Sequence, residues 1–200
     1  MKVFLSFLIL LFSLFGCKND RKIDSDTFSM GTELQQETKD TIQNLDKKSY
    51  AGLEHVFQDT SVIKTNGKYL MLVFGKNNCT YCEKFKEDIK NSQALQNQIT
   101  KDFSPYYINI SYDKDHLFDL GEIHQANIKT SQLSNSIYKI QVTPTIIFGD
   151  NNGKTIFEIP GYIEQHNFSK ILEFITSRQW ENSTNGKERI KLLQNYLNKE

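Results

Sequence analysis

The sequence predicts an α/β fold: a central mixed β-sheet flanked by helices, with an extra helix at the C-terminus. Three observations carry that expectation. Short apolar runs bounded by turn residues interleave with amphipathic stretches along the chain. One run, residues 68–74 (KYLMLVF), is apolar almost throughout, as a strand covered on both faces must be. The alternation itself implies parallel strands, which need crossover helices to join them.

Taken in order, weak helical spacing runs over residues 33–60, with Ile42 and Leu45, then Leu53, Val56 and Phe57. Asn66-Gly67 is a turn signal ahead of the first apolar strand. After that strand, Cys82, Phe85 and Ile89 recur at i, i+3 and i+7 among charges, which predicts an amphipathic helix. Residues 105–110 (PYYINI) read as a second strand, and residues 130–140 as a short helix. TPTIIFGDNNGKTIFEIP reads as strand, turn and strand, with DNNG at the turn. Phe168, Ile171, Leu172 and Ile175 form the clearest helical stripe in the chain. Ile190, Leu193 and Leu197 form a weaker one in the tail.

Composition narrows the function. The 200 residues are 24% charged with a formal net charge of +0, so no basic excess marks a nucleic-acid partner. The N-terminus stands apart from any core. Lys2 precedes the apolar run VFLSFLILLFSLF, too short to span a bilayer comfortably but laid out as an export signal. It ends LFGC, and polar sequence follows at once. That ending resembles the lipobox of bacterial lipoproteins, which implies cleavage after Gly16 and acylation of Cys17. The expected organisation is a signal peptide over 1–16 and a lipidated tether over 17–32. A domain with an N-terminal helical extension then covers 33–180, and a C-terminal helical extension covers 181–200. The expected location is periplasmic, anchored by lipid on Cys17 to the outer or inner membrane, where disulfides form and persist.

With Cys17 assigned to lipid, Cys79 and Cys82 remain, spaced C-x-x-C. A structural zinc site wants four ligands. His55, His116, His124 and His166 are scattered without ligand spacing and read as surface or helix-face residues, so no metal is expected. A static disulfide across so short a loop removes little entropy from the unfolded chain and is a poor staple. A redox couple has a mechanism. At a strand-to-helix junction the first cysteine meets free N–H groups and the positive helix end, which favour thiolate. Cys79 is therefore the expected nucleophile and Cys82 the resolving thiol. The two sulfurs need no further cofactor.

LVFGKNNCTYCEKF, followed some sixty residues later by VTPTIIF and then IPGY, resembles the thioredoxin superfamily over about residues 50–178. It is most similar to the exported thioredoxin-like group that includes SoxW-type proteins and the catalytic domain of DsbC-type isomerases. The resemblance implies a thioredoxin-like fold and a cis peptide bond between Thr143 and Pro144. It also implies a substrate-binding surface made by Thr143, Pro144, Thr80 and Tyr81. Two departures stand out. Val73 occupies the place of the buried aspartate found in cytoplasmic thioredoxins, and Asn78 that of their tryptophan. Lys76 and Glu83 are near in sequence but read as solvated charges.

The expected function is a membrane-anchored thiol–disulfide oxidoreductase, reducing disulfides of exported proteins such as apocytochrome c or sulfur-oxidation enzymes. Its expected partners are those cysteine-containing proteins and a membrane or periplasmic electron donor. The segment before the domain is too short for a dimerisation domain, so a monomer is expected. A disulfide oxidase or isomerase is the alternative within enzymes. A lipoprotein that only holds unfolded chains is the alternative outside them.

Overall fold

The computed structural model describes residues 45–121 and 123–198. The expected signal 1–16, Cys17, the tether 17–32 and the first part of the predicted helical segment lie outside the described residues. Among the described residues, no helix is long and apolar enough to cross a membrane.

The chain runs α1 (Leu45–Ser49), β1 (Val62–Lys64), β2 (Tyr69–Gly75), α2 (Thr80–Lys90), α3 (Gln93–Asp102) and β3 (Phe103–Asn109). It continues β4 (Asp115–Leu120), β5 (Ile123–Lys129), a π-helix (Gln132–Ile137), β6 (Thr145–Gly149) and β7 (Thr155–Pro160). It closes with α4 (Gln165–Thr176), a 3₁₀ turn (Gln179–Asn182) and α5 (Gly186–Leu197).

The main sheet has the order β3-β2-β6-β7. β2 and β3 are parallel, while β2 with β6 and β6 with β7 are antiparallel, which makes the sheet mixed. Alternation along β2 divides its side chains between two cores, because successive residues of a strand face opposite ways. Met71 and Val73 join Phe85 and Ile89 of α2, Leu95 and Ile99 of α3, and Phe168, Ile171 and Leu172 of α4. Leu70, Leu72 and Phe74 join a second cluster with Ile63, Phe118, Leu120 and Leu133. β2 is thus covered on both faces, as its unbroken apolar run requires.

The second cluster lies under a second sheet that adds to the expected architecture. β1, β4 and β5 form a separate three-stranded sheet, with β1 and β4 parallel and β4 and β5 antiparallel. The fold is therefore helices on one face of the main sheet and a small sheet with the π-helix on the other. α3 is also additional to the elements expected. The predicted helix over 33–60 is corrected where it is described. Only Leu45–Ser49 is α-helical, and residues 50–57 form successive turns, with Val56 and Phe57 N–H both bonding to Leu53 O at 2.9 Å. Leu53, Val56 and Phe57 are buried as expected, but by local turns rather than a helix face.

α5 packs back onto the domain. Phe174 and Tyr196 rings lie 5.2 Å apart, Leu193 is buried, and Arg189 Nη1 donates to Ile156 O at 3.0 Å.

The histidines need one correction. His55 and His166 are exposed, but His116 is fully buried. A carbonyl only accepts, so Nδ1 donates to Thr60 O at 2.8 Å, and Nε2 pairs with Thr130 Oγ1 at 2.8 Å. Beside it, Asp46 accepts from Thr60 Oγ1 at 2.5 Å and from Asn109 N at 3.0 Å. Lys114 Nζ lies 3.8 Å from Asp46 Oδ2. This buried polar network joins α1, β3 and the small sheet. Burial holds His116 below its ordinary pKa of 6.5, opposed by the Thr60 carbonyl and Asp46. The side chain of His124 lies outside the described residues.

Candidate active site

The strand β2 ends at Gly75, and the loop 76–78 carries the chain to α2. Asn77 is pinned from three sides. Its N–H donates to Ser111 Oγ at 3.0 Å, its Nδ2 to Tyr112 Oη at 2.8 Å, and its Oδ1 accepts from Asn109 Nδ2 at 2.8 Å. Asn78 adopts φ 54, a left-handed conformation that asparagine tolerates better than most residues. The turn delivers Cys79 in extended conformation as the N-cap of α2.

Cys79 and Cys82 form a disulfide, with Cα atoms 5.2 Å apart. The two sulfurs differ in access. Cys79 is 6% exposed and Cys82 is 0% exposed, so an incoming group meets Cys79 first. Cys79 Sγ accepts the backbone N–H of Cys82 at 3.2 Å, the bond an N-cap side chain makes. Thr143 Oγ1 donates to the same sulfur at 3.4 Å, and Thr143 O lies 3.4 Å from it. A reduced Cys79 so placed gains donors and the positive helix end together, conditions that favour thiolate over thiol.

Thr143 reaches the sulfur because its loop is held there. The Thr143–Pro144 peptide is cis. Pro144 O accepts from Gly161 N at 2.8 Å, and Thr145 Oγ1 donates to Val142 O at 2.8 Å. Gly161 has φ +89, the left-handed region that favours glycine, and there the chain leaves β7. Pro144 is buried, while Thr143 is half-buried with its hydroxyl on the disulfide.

A groove of about 690 Å³ opens beside the pair, lined by Cys79, Thr80, Tyr81, Val142, Thr143 and Tyr162, with Lys76, Gln141 and Gly161 completing it. Cys79, Thr143, Thr80 and Tyr81 are thus brought together, whereas Pro144 and Cys82 are buried and do not line the groove. Tyr162, the last residue of IPGY, also lines the groove, and nothing in its sequence neighbourhood marks that role. The Tyr81 and Tyr162 rings stack at 6.0 Å and 21°. Tyr162 Oη donates to Asp88 Oδ2 at 2.5 Å, and Lys84 Nζ sits 4.7 Å from its ring centroid. Burial and then the Asp88 carboxylate push the Tyr162 hydroxyl up to about 12, so it keeps its proton.

Val73 is fully buried among apolar side chains, so no carboxylate stands at that position behind the disulfide. Glu83 pairs with Lys86 at 2.8 Å, and Lys86 Nζ lies 5.6 Å from the Tyr107 ring centroid. Among the described residues, no group of three or more His, Cys, Asp or Glu side chains is placed to hold a metal ion.

The thioredoxin-like domain, as a sequence family, matches residues 56–176, from the turns after α1 to the last residue of α4. Among solved structures, a thioredoxin-fold protein from Helicobacter pylori is 46% identical with a TM-score of 0.71, over 76% of this chain and 96% of that one. A thioredoxin from Thermus thermophilus is 16% identical with a TM-score of 0.42, over 56% of this chain and 76% of that one. A disulphide isomerase from Xylella fastidiosa is 17% identical with a TM-score of 0.41, over 74% of this chain and 96% of that one. No curated protein matches.

Proposed function

This chain belongs to the thioredoxin-like family, and from that premise we propose that it is a thiol–disulfide oxidoreductase acting outside the cytoplasm. One observation carries the reading. Cys79 is the accessible sulfur of a C-x-x-C disulfide, caps a helix, and has the Thr143 hydroxyl on it at 3.4 Å.

The chemistry follows from that placement. In the reduced protein, the Cys79 thiolate attacks one sulfur of a substrate disulfide. A mixed disulfide forms and the other substrate sulfur leaves as thiolate. The Cys82 thiol, three residues on in the first turn of α2, loses its proton and displaces the substrate from Cys79. The Cys79–Cys82 disulfide results, and the substrate disulfide has gained two electrons and two protons. A donor must then reduce the pair for another turnover.

The direction we propose is reduction. The export signal 1–16, the acyl anchor on Cys17 and the tether 17–32 suit a monomer that takes electrons from a membrane or periplasmic donor. It would pass them to disulfides of exported proteins, for example apocytochrome c or sulfur-oxidation enzymes. The test is the equilibrium reduction potential of the pair against glutathione buffers. A value near about −270 mV supports a reductase, and one near about −120 mV overturns the direction in favour of an oxidase or isomerase. A Cys82→Ser variant should hold substrates as mixed disulfides on Cys79. Recovery of none would count against the exported-protein substrates.

A further inference from the structure

We propose that the Tyr81–Tyr162 ring pair and Lys76 select what the groove accepts. The favoured occupant is an extended polypeptide with an aromatic residue beside its disulfide-bonded cysteine and a carboxylate within reach of Lys76. The inference rests on the redox reading of Cys79 and adds the class of substrate.

Three features of the groove carry it. First, Tyr162 is fixed by side chains from one stripe of α2. Tyr81 stacks on it, Lys84 lies over it and Asp88 accepts its hydroxyl, which is the i, i+3, i+7 spacing of a single helix face. Held this way, Tyr162 backs the Tyr81 ring, which therefore loses little entropy when a ligand stacks on its exposed side, so the platform is preorganised. Second, Tyr81 sits between the two cysteines yet is 61% exposed. It spends little of its surface on packing against the protein, and its free area lies next to the reactive sulfur. Third, Val142 on the facing loop is 48% exposed and lines the same groove. Apolar and aromatic surface is therefore available on both the helix side and the Thr143 side of Cys79.

Charge sets the second preference. Among the described residues, the groove lining carries one cation, Lys76, and no carboxylate. Lys76 is exposed and precedes Cys79 by three residues. An acidic side chain near the substrate cysteine meets a complementary charge, and a basic one meets repulsion.

The test uses reduced protein in a single turnover, so no other reductant enters. The probes are short linear peptides with one cysteine, disulfide-linked to a chromogenic aromatic thiol. The Cys79 thiolate attacks the peptide sulfur and the aromatic thiol leaves as thiolate, because it is the more acidic thiol. Cys82 then displaces the peptide thiol. The peptides differ only in phenylalanine or glycine beside the cysteine, and in aspartate or lysine farther along. For the native protein, the phenylalanine peptide should react roughly five-fold faster than the glycine peptide. The aspartate peptide should react about two-fold faster than the lysine peptide, an advantage lost at high salt.

The readout is the ratio of rates within each variant, so overall changes in reactivity cancel. Tyr162→Ala should bring the phenylalanine-to-glycine ratio to about one, while Tyr162→Phe, which keeps the stacked ring but loses the bond to Asp88, should hold it between that value and the native one. Lys76→Glu should reverse the charge preference. Equal rates on the phenylalanine and glycine peptides, or a ratio unchanged in Tyr162→Ala, overturn the inference and leave the redox reading intact. If no peptide reacts at Cys79, the redox reading falls and the substrate class falls with it.

Discussion

Replacing Thr143 by valine tests how the protein stabilises the attacking sulfur. Valine keeps the shape of threonine and removes the hydroxyl. The structure gives Cys79 Sγ two donors, Cys82 N at 3.2 Å and Thr143 Oγ1 at 3.4 Å. A hydrogen bond to a charged group contributes about 1.5–3 kcal/mol. The 3.4 Å contact to a diffuse sulfur sits below that range, so about 1 kcal/mol of thiolate stabilisation is assigned to it. At about 1.4 kcal/mol per pKa unit, the midpoint at which Cys79 becomes reactive should rise by roughly 0.7 unit in Thr143→Val. Because the thiolate belongs to the reduced form, losing its donor disfavours reduction. The pair should become more reducing by about 20 mV. The assay is the pH dependence of iodoacetamide alkylation in a Cys82→Ser background, with the potential measured separately in the native pair. Thr143→Ser, which restores the hydroxyl, should recover both values. An alkylation midpoint and a potential that both stay put in Thr143→Val would refute the assignment of the hydroxyl to the sulfur.

Two further predictions concern the scaffold. A Cβ at Gly75 would lie 2.0 Å from Tyr107 Oη and 2.5 Å from Cζ, and the Tyr107 ring is buried. Gly75→Ala should therefore cost about 1–3 kcal/mol in urea unfolding. Tyr107→Leu, which removes the far end of the ring, should make the double variant more stable than the two single losses added together. Simple additivity would show that the contact is not the cause. His116 is held below its ordinary pKa by burial, so the unfolded chain takes up its proton first as the solution is acidified. The stability this neutral histidine contributes is complete above about pH 6.5 and is lost as pH falls from there toward the folded pKa. Between about pH 7 and pH 5, the native protein should lose stability more steeply than His116→Asn, by up to about 1.4 kcal/mol per pH unit. Parallel slopes would place the titration elsewhere.

What the sequence disclosed follows how each element is buried. β2 and α4 were legible because their apolar residues are dense and regularly spaced, so the burial pattern is written directly in the residue types. α3 hides because only Leu95, Gln96 and Ile99 are buried in it, and Gln96 reads as a surface residue although its Nε2 caps the carbonyls of Ile89 and Lys90. β4 alternates cleanly in space, with His116, Phe118 and Leu120 buried, but counting a histidine as polar erases the first position of that period. β1 is three residues long, too short to show any period. The small sheet was therefore invisible although every residue that builds it was in view. In the site, the cysteine pair was legible from its C-x-x-C spacing at a strand-to-helix junction, whereas Thr143 and the dipeptide between the cysteines came only through the resemblance to the thioredoxin superfamily. Tyr162 was legible in neither way, because its partners Tyr81, Lys84 and Asp88 lie some eighty residues earlier and meet it only once β7 pairs with β6.

The unequal access of the two sulfurs bears on oxidative damage. A peroxide arriving at the reduced protein would reach Cys79 well before Cys82. The sulfenic acid formed there is the first, reversible rung of thiol oxidation, and what rescues it is a neighbouring thiol. Cys82 stands in the first turn of the same helix, already at bonding distance in the disulfide. Condensation would expel water and return the pair to the disulfide, the same state that turnover produces. The site would thus convert a chemical injury into an ordinary catalytic intermediate, with the shielded sulfur kept in reserve for the repair.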